Sequence, residues 1–444
     1  MAEVLVKANE AVLTEEQRRK GQNAMIYAAA FGSMMGAALG SPASLFLLGM
    51  GAKPLHIGVL ATLSQMSIFG QIVGLKLIPT IGKTRLAVAG RITATLPAIG
   101  LAALAFSGET GTAIVWLAIG AFAFRHLCYS LADTVWWPLL QDCTVGESVG
   151  KFFARLRTRL RTVEILSPLV VGWYLGKHPS TQRFSLPFLS AALAMALAAW
   201  KIKSVPERPL VSGEGSLWIR LRESVKVLSV RRYVGFVAGR YFVMAFASTF
   251  WVVMLNARGL PVSYFIWLTS VVALGHVCAL HQWGRLVDRH GPRAAITVTL
   301  VPHGLMGLAW LMLPDGGLPL VCWAVSYYLL WGLFEGGCLM GQTTAMMHSI
   351  PVANQAEGFI VANYANAISG MLGGLLGGLC FQWATDHSHG LWGIDSRLIY
   401  LAASQLLFVG AWWLSTRLVG YTEQTPLRHL VRKALGSVLA QIRG

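Results

Sequence analysis

Twelve times along its 444 residues the chain runs through about 20 mostly apolar residues, the length an α-helix needs to cross the hydrocarbon of a bilayer. The windows fall at 22–51, 55–81, 86–106, 112–142, 158–176, 184–203, 232–257, 262–287, 294–313, 317–347, 357–384 and 397–418. Their length excludes a barrel. Lipid offers the backbone no hydrogen-bond partner, so each segment must satisfy itself, and the short connections then predict an all-α membrane protein of twelve antiparallel transmembrane helices. Composition agrees: 12% of residues are charged, against roughly 25% in a soluble domain. The N-terminal "MAEVLVKANEAVLTEEQRRKGQ" mixes charges of both signs, and no removable leader is expected in it.

The formal net charge of +17 raises nucleic acid as a partner, and the placement of the charge argues against it. With twelve spans both termini share one side. On that side Lys and Arg number four before the first span, two at Lys83 and Arg85, five from Lys151 to Arg161, eight from Lys201 to Arg232, three from Arg285 to Arg293 and five from Arg417 onward. The opposite loops hold only Lys53, Lys177, Arg183, Arg258 and Arg397. Positive loops stay cytoplasmic, so both termini are expected there, in a bacterial inner membrane, with anionic lipid headgroups as the partner of the charge. Cys128, Cys143, Cys278, Cys322, Cys338 and Cys380 are scattered in or beside spans with no metal-ligand or disulfide spacing, and read as small apolar fillers. Neither a phosphate-cradling glycine loop, a zinc-type histidine pair nor a serine elbow occurs. No cofactor, no metal and no enzymatic activity are expected, and a monomer is.

The longest internal polar stretch, "SVPERPLVSGEGSLWIRLRESVKVLSVRR", separates the sixth span from the seventh. The division is then a terminal segment 1–21, a six-helix bundle 22–203, a linker 204–231, a second six-helix bundle 232–418 and a tail 419–444. Within the linker, Leu217, Trp218, Leu221, Val225 and Leu228 share one helical face, predicting an amphipathic helix packed on the bundle or laid on lipid. Shifted by 206 residues, the halves resemble each other without gaps: Gly172 falls on Gly378, Phe153 on Phe359, and "QDCTVGESVGKFFA" on "MHSIPVANQAEGFI". Two pseudo-symmetric repeats suit alternating access, in which one half rocks on the other.

Charge concentrates in "GRLVDRHGPR", Gly284 to Arg293, between two apolar runs. The glycine, the aspartate four residues on, the following basic residue and the closing glycine with basic residues resemble the loop signature of the major facilitator superfamily. The loop also stands where that family carries it, between the second and third helices of a six-helix half. The resemblance spans the whole chain in architecture, although this motif is its sequence-specific part. It implies a secondary transporter whose loop latches the cytoplasmic gate, with Gly284 allowing close helix approach, Gly291 and Pro292 turning the chain, and Asp288, Arg289 and Arg293 making the charged contacts. Asp288 is expected against the start of the eleventh span, near Asn354 to Glu357. The first-half counterpart "GLKLIPTIGKTR" keeps Gly74, Gly82, Lys83 and Arg85 but carries Ile78 in place of the aspartate. That latch reads as degraded, with Asp142, Glu147 or lipid phosphate left to hold the basic run Lys151 to Arg161.

A charged side chain at mid-bilayer costs about 2.5–3.5 kcal/mol on insertion scales, so each one calls for a reason. Arg125, His126 and Asp133 lie in the fourth span, Arg240 in the seventh, His276 in the eighth, His303 in the ninth and Glu335 in the tenth. The resemblance implies a central cavity lined by helices one, four, seven and ten. At about 100° per residue, Arg125, Tyr129, Asp133 and Trp136 line one side of the fourth helix. Tyr328, Trp331, Glu335 and Gln342 do so on the tenth, and Arg240, Met244 and Trp251 on the seventh. Arginine grips carboxylate or phosphate, and Glu335 or Asp133 is the candidate proton carrier. The expected function is transport of a small polar or anionic organic solute, coupled to protons. A structural ion network joining Arg125 to Asp133 or Glu335 is the competing reading. His276 and His303 read as satisfied packing residues, and Arg91, near the end of the third span, reads as reaching out to the interface. Tyr129 stands where the family's fourth-helix motif has a glycine, which weakens the proton assignment. "SPLVVG", Ser167 to Gly172, departs from the fifth-helix signature of drug/proton antiporters, although an efflux pump for amphipathic compounds remains an alternative. A non-transporting assembly factor or pigment- or lipid-handling scaffold of the same fold is another. Gly370, Gly373, Gly374, Gly377 and Gly378 predict close helix packing in the eleventh span.

Overall fold

The computed structural model describes residues 13–66, 68–144, 149–207, 217–350, 355–387 and 394–418. The helices are α1 Glu15–Leu39, α2 Ser41–Gly49, α3 Pro54–Met66, α4 Ile68–Ile81, α5 Lys83–Ser107, α6 Thr112–Asp133, α7 Trp136–Thr144, α8 Val149–Leu175 and α9 Ser185–Ile202. They continue as α10 Leu217–Lys226, α11 Leu228–Ser248, α12 Trp251–Ala257, α13 Val262–His290, α14 Pro292–Leu305, α15 Gly317–Ser349, α16 Gln355–Asp386, α17 Ser396–Leu406 and α18 Phe408–Ser415. Eleven stretches among the described residues are long and apolar enough to cross a membrane. The remaining expected span, the fifth, is α8, helical over 27 residues but carrying Arg155, Arg157, Arg159 and Arg161 in its first half. The expected all-α membrane fold is the one found.

Helix ends follow local chemistry. Thr14 caps α1, its hydroxyl accepting from Gln17 N at 3.3 Å while Gln17 Oε1 accepts from Thr14 N at 3.0 Å. Gly82 and Gly291 take the same backbone at the same place in each half, φ 89° and 81°, and start α5 and α14. Only glycine enters that region freely, and Pro292 then presets the first turn of α14. Spans one, four, seven and twelve are each two helices end to end, where continuous helices were expected.

The described chain forms two compact units, Met1–Ala52 with Met66–Glu214, and Lys53–Gln65 with Gly215–Gly444. In the first, α9 packs on α5 and α1, and α6 on α5 and α4. Its core joins Met25, Ile26, Leu86, Leu139, Leu140 and Phe152, and Phe188 sits edge-on to Phe46 at 5.1 Å. In the second, α13 packs on α15, and α11 on α16. The eleventh-span glycines make that contact possible, since a Cβ on Gly373 would stand 2.3 Å from Phe242 O. The opposite face of α16 receives α3, Gly378 lying against the Gly58 backbone. Outward faces stay apolar, as lipid requires: Phe106, Trp173 and Leu318 are exposed. All six cysteines are free. Cys128, Cys143 and Cys338 fill the interior, whereas Cys278, Cys322 and Cys380 lie on exposed faces rather than in the packing.

The linker helix α10 packs on α16, but not by the whole expected face. Val225 is exposed and Ser224 is fully buried, the helix turning a small residue toward its neighbour, and Leu228, also exposed, already begins α11.

Candidate functional site

In the second unit the charged side chains of α11 and α15 meet. Arg240 is buried and its Nη2 is ion-paired with Glu335 Oε1. Arg240 Nη1 donates to Gln342 Oε1 at 2.9 Å. Glu335 Oε2 accepts no hydrogen bond and faces His303 Nε2 at 3.8 Å. His303 is fully enclosed. Its ring lies 4.3 Å from that of Trp331 and 5.5 Å from that of Phe408. His303 thus packs between these rings, as the sequence reading has it, and α14 also brings it opposite a carboxylate oxygen that accepts no hydrogen bond. Trp251 stands edge-on to Trp331 at 4.6 Å and to Tyr328 at 5.7 Å. Thus Arg240, Trp251, Tyr328, Trp331 and Glu335 are brought together, with the helix breaking after Ser248 to place Trp251. Behind them Trp310 Nε1 donates to Tyr327 OH at 2.9 Å, and Gln405 Nε2 reaches the same hydroxyl. That layer had no signal in the sequence, because its members are uncharged and lie on three separate elements.

In the first unit the arrangement differs. Arg125 is buried, yet Asp133, two turns along α6, is exposed and the two make no ion pair. The competing reading, a structural ion network joining Arg125 to Asp133, finds no such pair among the described residues, because the arginine turns inward. Its Nη2 donates to His126 Nε2 at 2.7 Å and its Nη1 lies 3.6 Å from Met35 Sδ. Since guanidinium can only donate, His126 accepts at Nε2 and carries its proton on Nδ1. Arg91 overturns the expectation that it reaches the interface. Only 2% exposed, it lies 5.4 Å from the Tyr129 ring centroid and 5.9 Å from that of Trp136. Its position near a span end hid it from the sequence, since α5 carries it inward against the aromatics of α6 and α7.

At the motif loops, Asp288 and Arg289 are exposed and Arg293 half-buried. Among the described residues Asp288 has no ion-pair partner, while the expected one, Asn354 to Glu357, falls on positions whose side chains lie outside the description. Gly284 does not mediate close approach, because a Cβ there would meet only Met340 Sδ, at 3.9 Å. The tight contact lies one helix over, where a Cβ on Gly337 would stand 2.5 Å from the Trp283 ring. Gly74 does lie in a close contact, its Cβ position 2.4 Å from Thr134 Oγ1. The carboxylate missing at Ile78 is supplied from elsewhere. Lys83, buried, pairs with Asp142 at 2.5 Å, and Glu207 Oε2 accepts from Thr84 N at 2.6 Å, at the positive start of α5. Asp142, one of the groups expected to hold the basic run, takes Lys83; within the run Arg155 donates to Gln22 Oε1 at 3.0 Å and Arg161 pairs with Glu164 at 2.7 Å. Arg85 is exposed, and Glu147 lies outside the described residues.

The family model for the Major Facilitator Superfamily matches residues 24–374. The chain belongs to the major facilitator superfamily. Solved members of this fold align over nearly the whole chain. A crystal structure of a mutant of the nucleoside transporter NupG superposes with a TM-score of 0.69 at 10% identity, covering 89% of this chain and 99% of that one. A POT family transporter in complex with 5-aminolevulinic acid gives 0.65 at 13%, covering 89% and 94%. A mutant of the peptide transporter POT with alafosfalin gives 0.64 at 15%, covering 90% and 95%. At these identities the likeness is one of fold. No curated protein matches the sequence. As a member of this superfamily the chain is an integral, multi-pass membrane protein of the secondary-transporter class.

Proposed function

We propose that the chain is a proton-coupled secondary transporter of a small polar or anionic organic solute, working by alternating access in a bacterial inner membrane with both termini cytoplasmic. The bundles 22–203 and 232–418 are the rocking bodies. The observation that carries the reading is the buried Arg240–Glu335 pair with Gln342 and His303 around it. A buried ion pair gives little net stability over apolar packing, so its presence in a span calls for work that apolar side chains cannot do. A proton on Glu335 cancels the charge that neutralises Arg240, and the arginine then takes another acceptor; loss of the proton restores the pair. Asp133, exposed near two arginines, is the second candidate carrier. The solutes named for the similar structures, nucleosides, peptides and 5-aminolevulinic acid, are polar organic molecules, which supports the class.

Proteoliposomes with an imposed pH gradient test this. The purified protein is expected to accumulate a solute against its concentration, while Glu335→Gln and Asp133→Asn still exchange it but no longer accumulate it. Undiminished accumulation in both variants removes the coupling assignment. A folded preparation that moves and binds no solute gives way to the scaffold reading, and transport confined to amphipathic compounds to the efflux one. In the loop Gly284 to Arg293, Asp288 is assigned to the cytoplasmic latch: Asp288→Asn should raise labelling of cysteines engineered at the cytoplasmic mouth, and unchanged labelling withdraws that role.

A further inference from the structure

The first unit carries a charge imbalance inside its helices. Three carboxylates lie on its described helical spans beyond the first turn of α1: Asp133, Asp142 and Glu164. Two are committed, Asp142 to Lys83 and Glu164 to Arg161. Asp133 alone remains within Coulomb reach of Arg91 and Arg125, and it stands outside ion-pair distance of both. The nearest other titratable groups do not alter the sum, because His126 accepts from Arg125 and is neutral at that contact, and Tyr129 is a phenol. Two buried guanidinium groups therefore face one exposed carboxylate, leaving one positive charge without a counter-ion among the described residues. The second unit has no such excess, since Arg240 and Glu335 pair one to one.

The donors are also underused. Arg91 gives Nη1 to Ala87 O at 3.1 Å and a further side-chain bond to Tyr129, but its Nε has no acceptor; Arg125 Nε likewise has none. Both side chains are almost completely buried, and burying an unpaired cation is among the costlier things a fold can do. Guanidinium presents a planar fork of donors matched to oxyanions, and the Tyr129 and Trp136 rings beside Arg91 offer an apolar wall for the body of an organic molecule.

We propose that Arg91 and Arg125 form an oxyanion site in the first half that takes the carboxylate or phosphate group of an organic anion, with Tyr129 and Trp136 against its carbon skeleton. This rests on the transporter reading and narrows its solute to an anion. It also divides the labour: the first half compensates its spare positive charge with the solute, and the second half carries the proton.

The test uses full-length protein in detergent and three probes of similar shape: benzoate, phenyl phosphate and neutral benzamide, read by thermal shift and calorimetry. At least one anion is expected to bind at concentrations where benzamide does not, benzoate winning if the site is built for carboxylates and phenyl phosphate if for phosphate esters. Arg91→Gln and Arg125→Gln should each weaken that anion by roughly tenfold or more, the worth of a hydrogen-bonded charge contact. Should either glutamine variant fail to fold, Arg91→Lys and Arg125→Lys keep bulk and charge and are expected to lose affinity severalfold, because an ammonium cannot make the bidentate grip. Equal binding of benzamide and both anions, or wild-type affinity in the arginine variants, overturns the site. Anion binding that depends on these arginines in a protein that moves nothing keeps the site and removes the transporter reading. Uptake that favours neutral solutes and survives Arg91→Gln does the reverse.

Discussion

Arg240 and Glu335 are held where water cannot replace either partner, so removing one differs from removing both. Arg240→Met leaves a buried carboxylate uncompensated, and breaking a buried pair costs about 3–5 kcal/mol. Arg240→Met combined with Glu335→Leu removes both charges and should recover most of that loss while still abolishing coupled transport. Unfolding of the purified variants in detergent measures the difference; equal losses in single and double variants would mean that the two residues do not depend on each other. These two positions were legible in the sequence because a charge in a span has few explanations, and they come together as that rule suggests. Arg91 was not legible, since a charge near a span end reads as reaching outward until the direction of its side chain is known. What His303 faces was hidden for a related reason. An imidazole in an apolar run carries no mark of what it faces, and here the Glu335 oxygen opposite lies 32 residues further along the chain.

At the scale of helices, glycine spacing told more than the loop signature. The run Gly370 to Gly378 predicts close packing, and α16 indeed lies against α11 through Gly373 and Gly377 and against α3 through Gly374 and Gly378. Gly284, singled out by the motif, has room beside it. The two therefore respond oppositely to one methyl group. Gly373→Ala drives a Cβ into a backbone carbonyl and must push α16 off α11, a strain of about 1–3 kcal/mol for overpacking. Gly284→Ala meets only ordinary contact and gains helix propensity of about 0.5–1 kcal/mol. Thermal unfolding of the two variants in one detergent checks this, and a lower midpoint for Gly284→Ala than for Gly373→Ala refutes the packing account. The span positions were readable because hydrophobic length is one-dimensional information. The breaks at Gly40 and after Ser248 were not, because an interrupted helix and a continuous one carry the same apolar count.

For the chain as a whole, the sequence supports a division at the polar linker, while the compact units add Lys53–Gln65 to the second; the backbone meeting of Gly58 with Gly378 behind that assignment joins residues more than 300 apart and leaves no local trace. The sparse charges on the loops opposite the positive side also find one another. Arg258 pairs with Asp315 and lies 3.8 Å from Asp395, which accepts from Arg397 Nη2 at 2.6 Å, so connections after the seventh, ninth and eleventh spans are tied together. In the proposed orientation this network faces outside, where acidity varies. Burial pushes the Asp395 carboxyl up, but hydrogen bonds from the Arg397 side chain and backbone and the charges of Arg397 and Arg258 outweigh it and hold the carboxyl below its ordinary value. A depressed carboxylate contributes stability that is fully present above its unfolded value of about 3.9 and is lost as pH falls through the lower folded one. Asp395 also caps α17 by accepting from Arg397 N at 2.9 Å, and asparagine caps equally well. Asp395→Asn thus removes the charge and keeps the cap. The wild type should lose stability to acid below about pH 4, and the variant should lose less over that window while unfolding sooner than wild type at neutral pH. Superimposable acid profiles would show that the three connections are held by something other than this carboxylate.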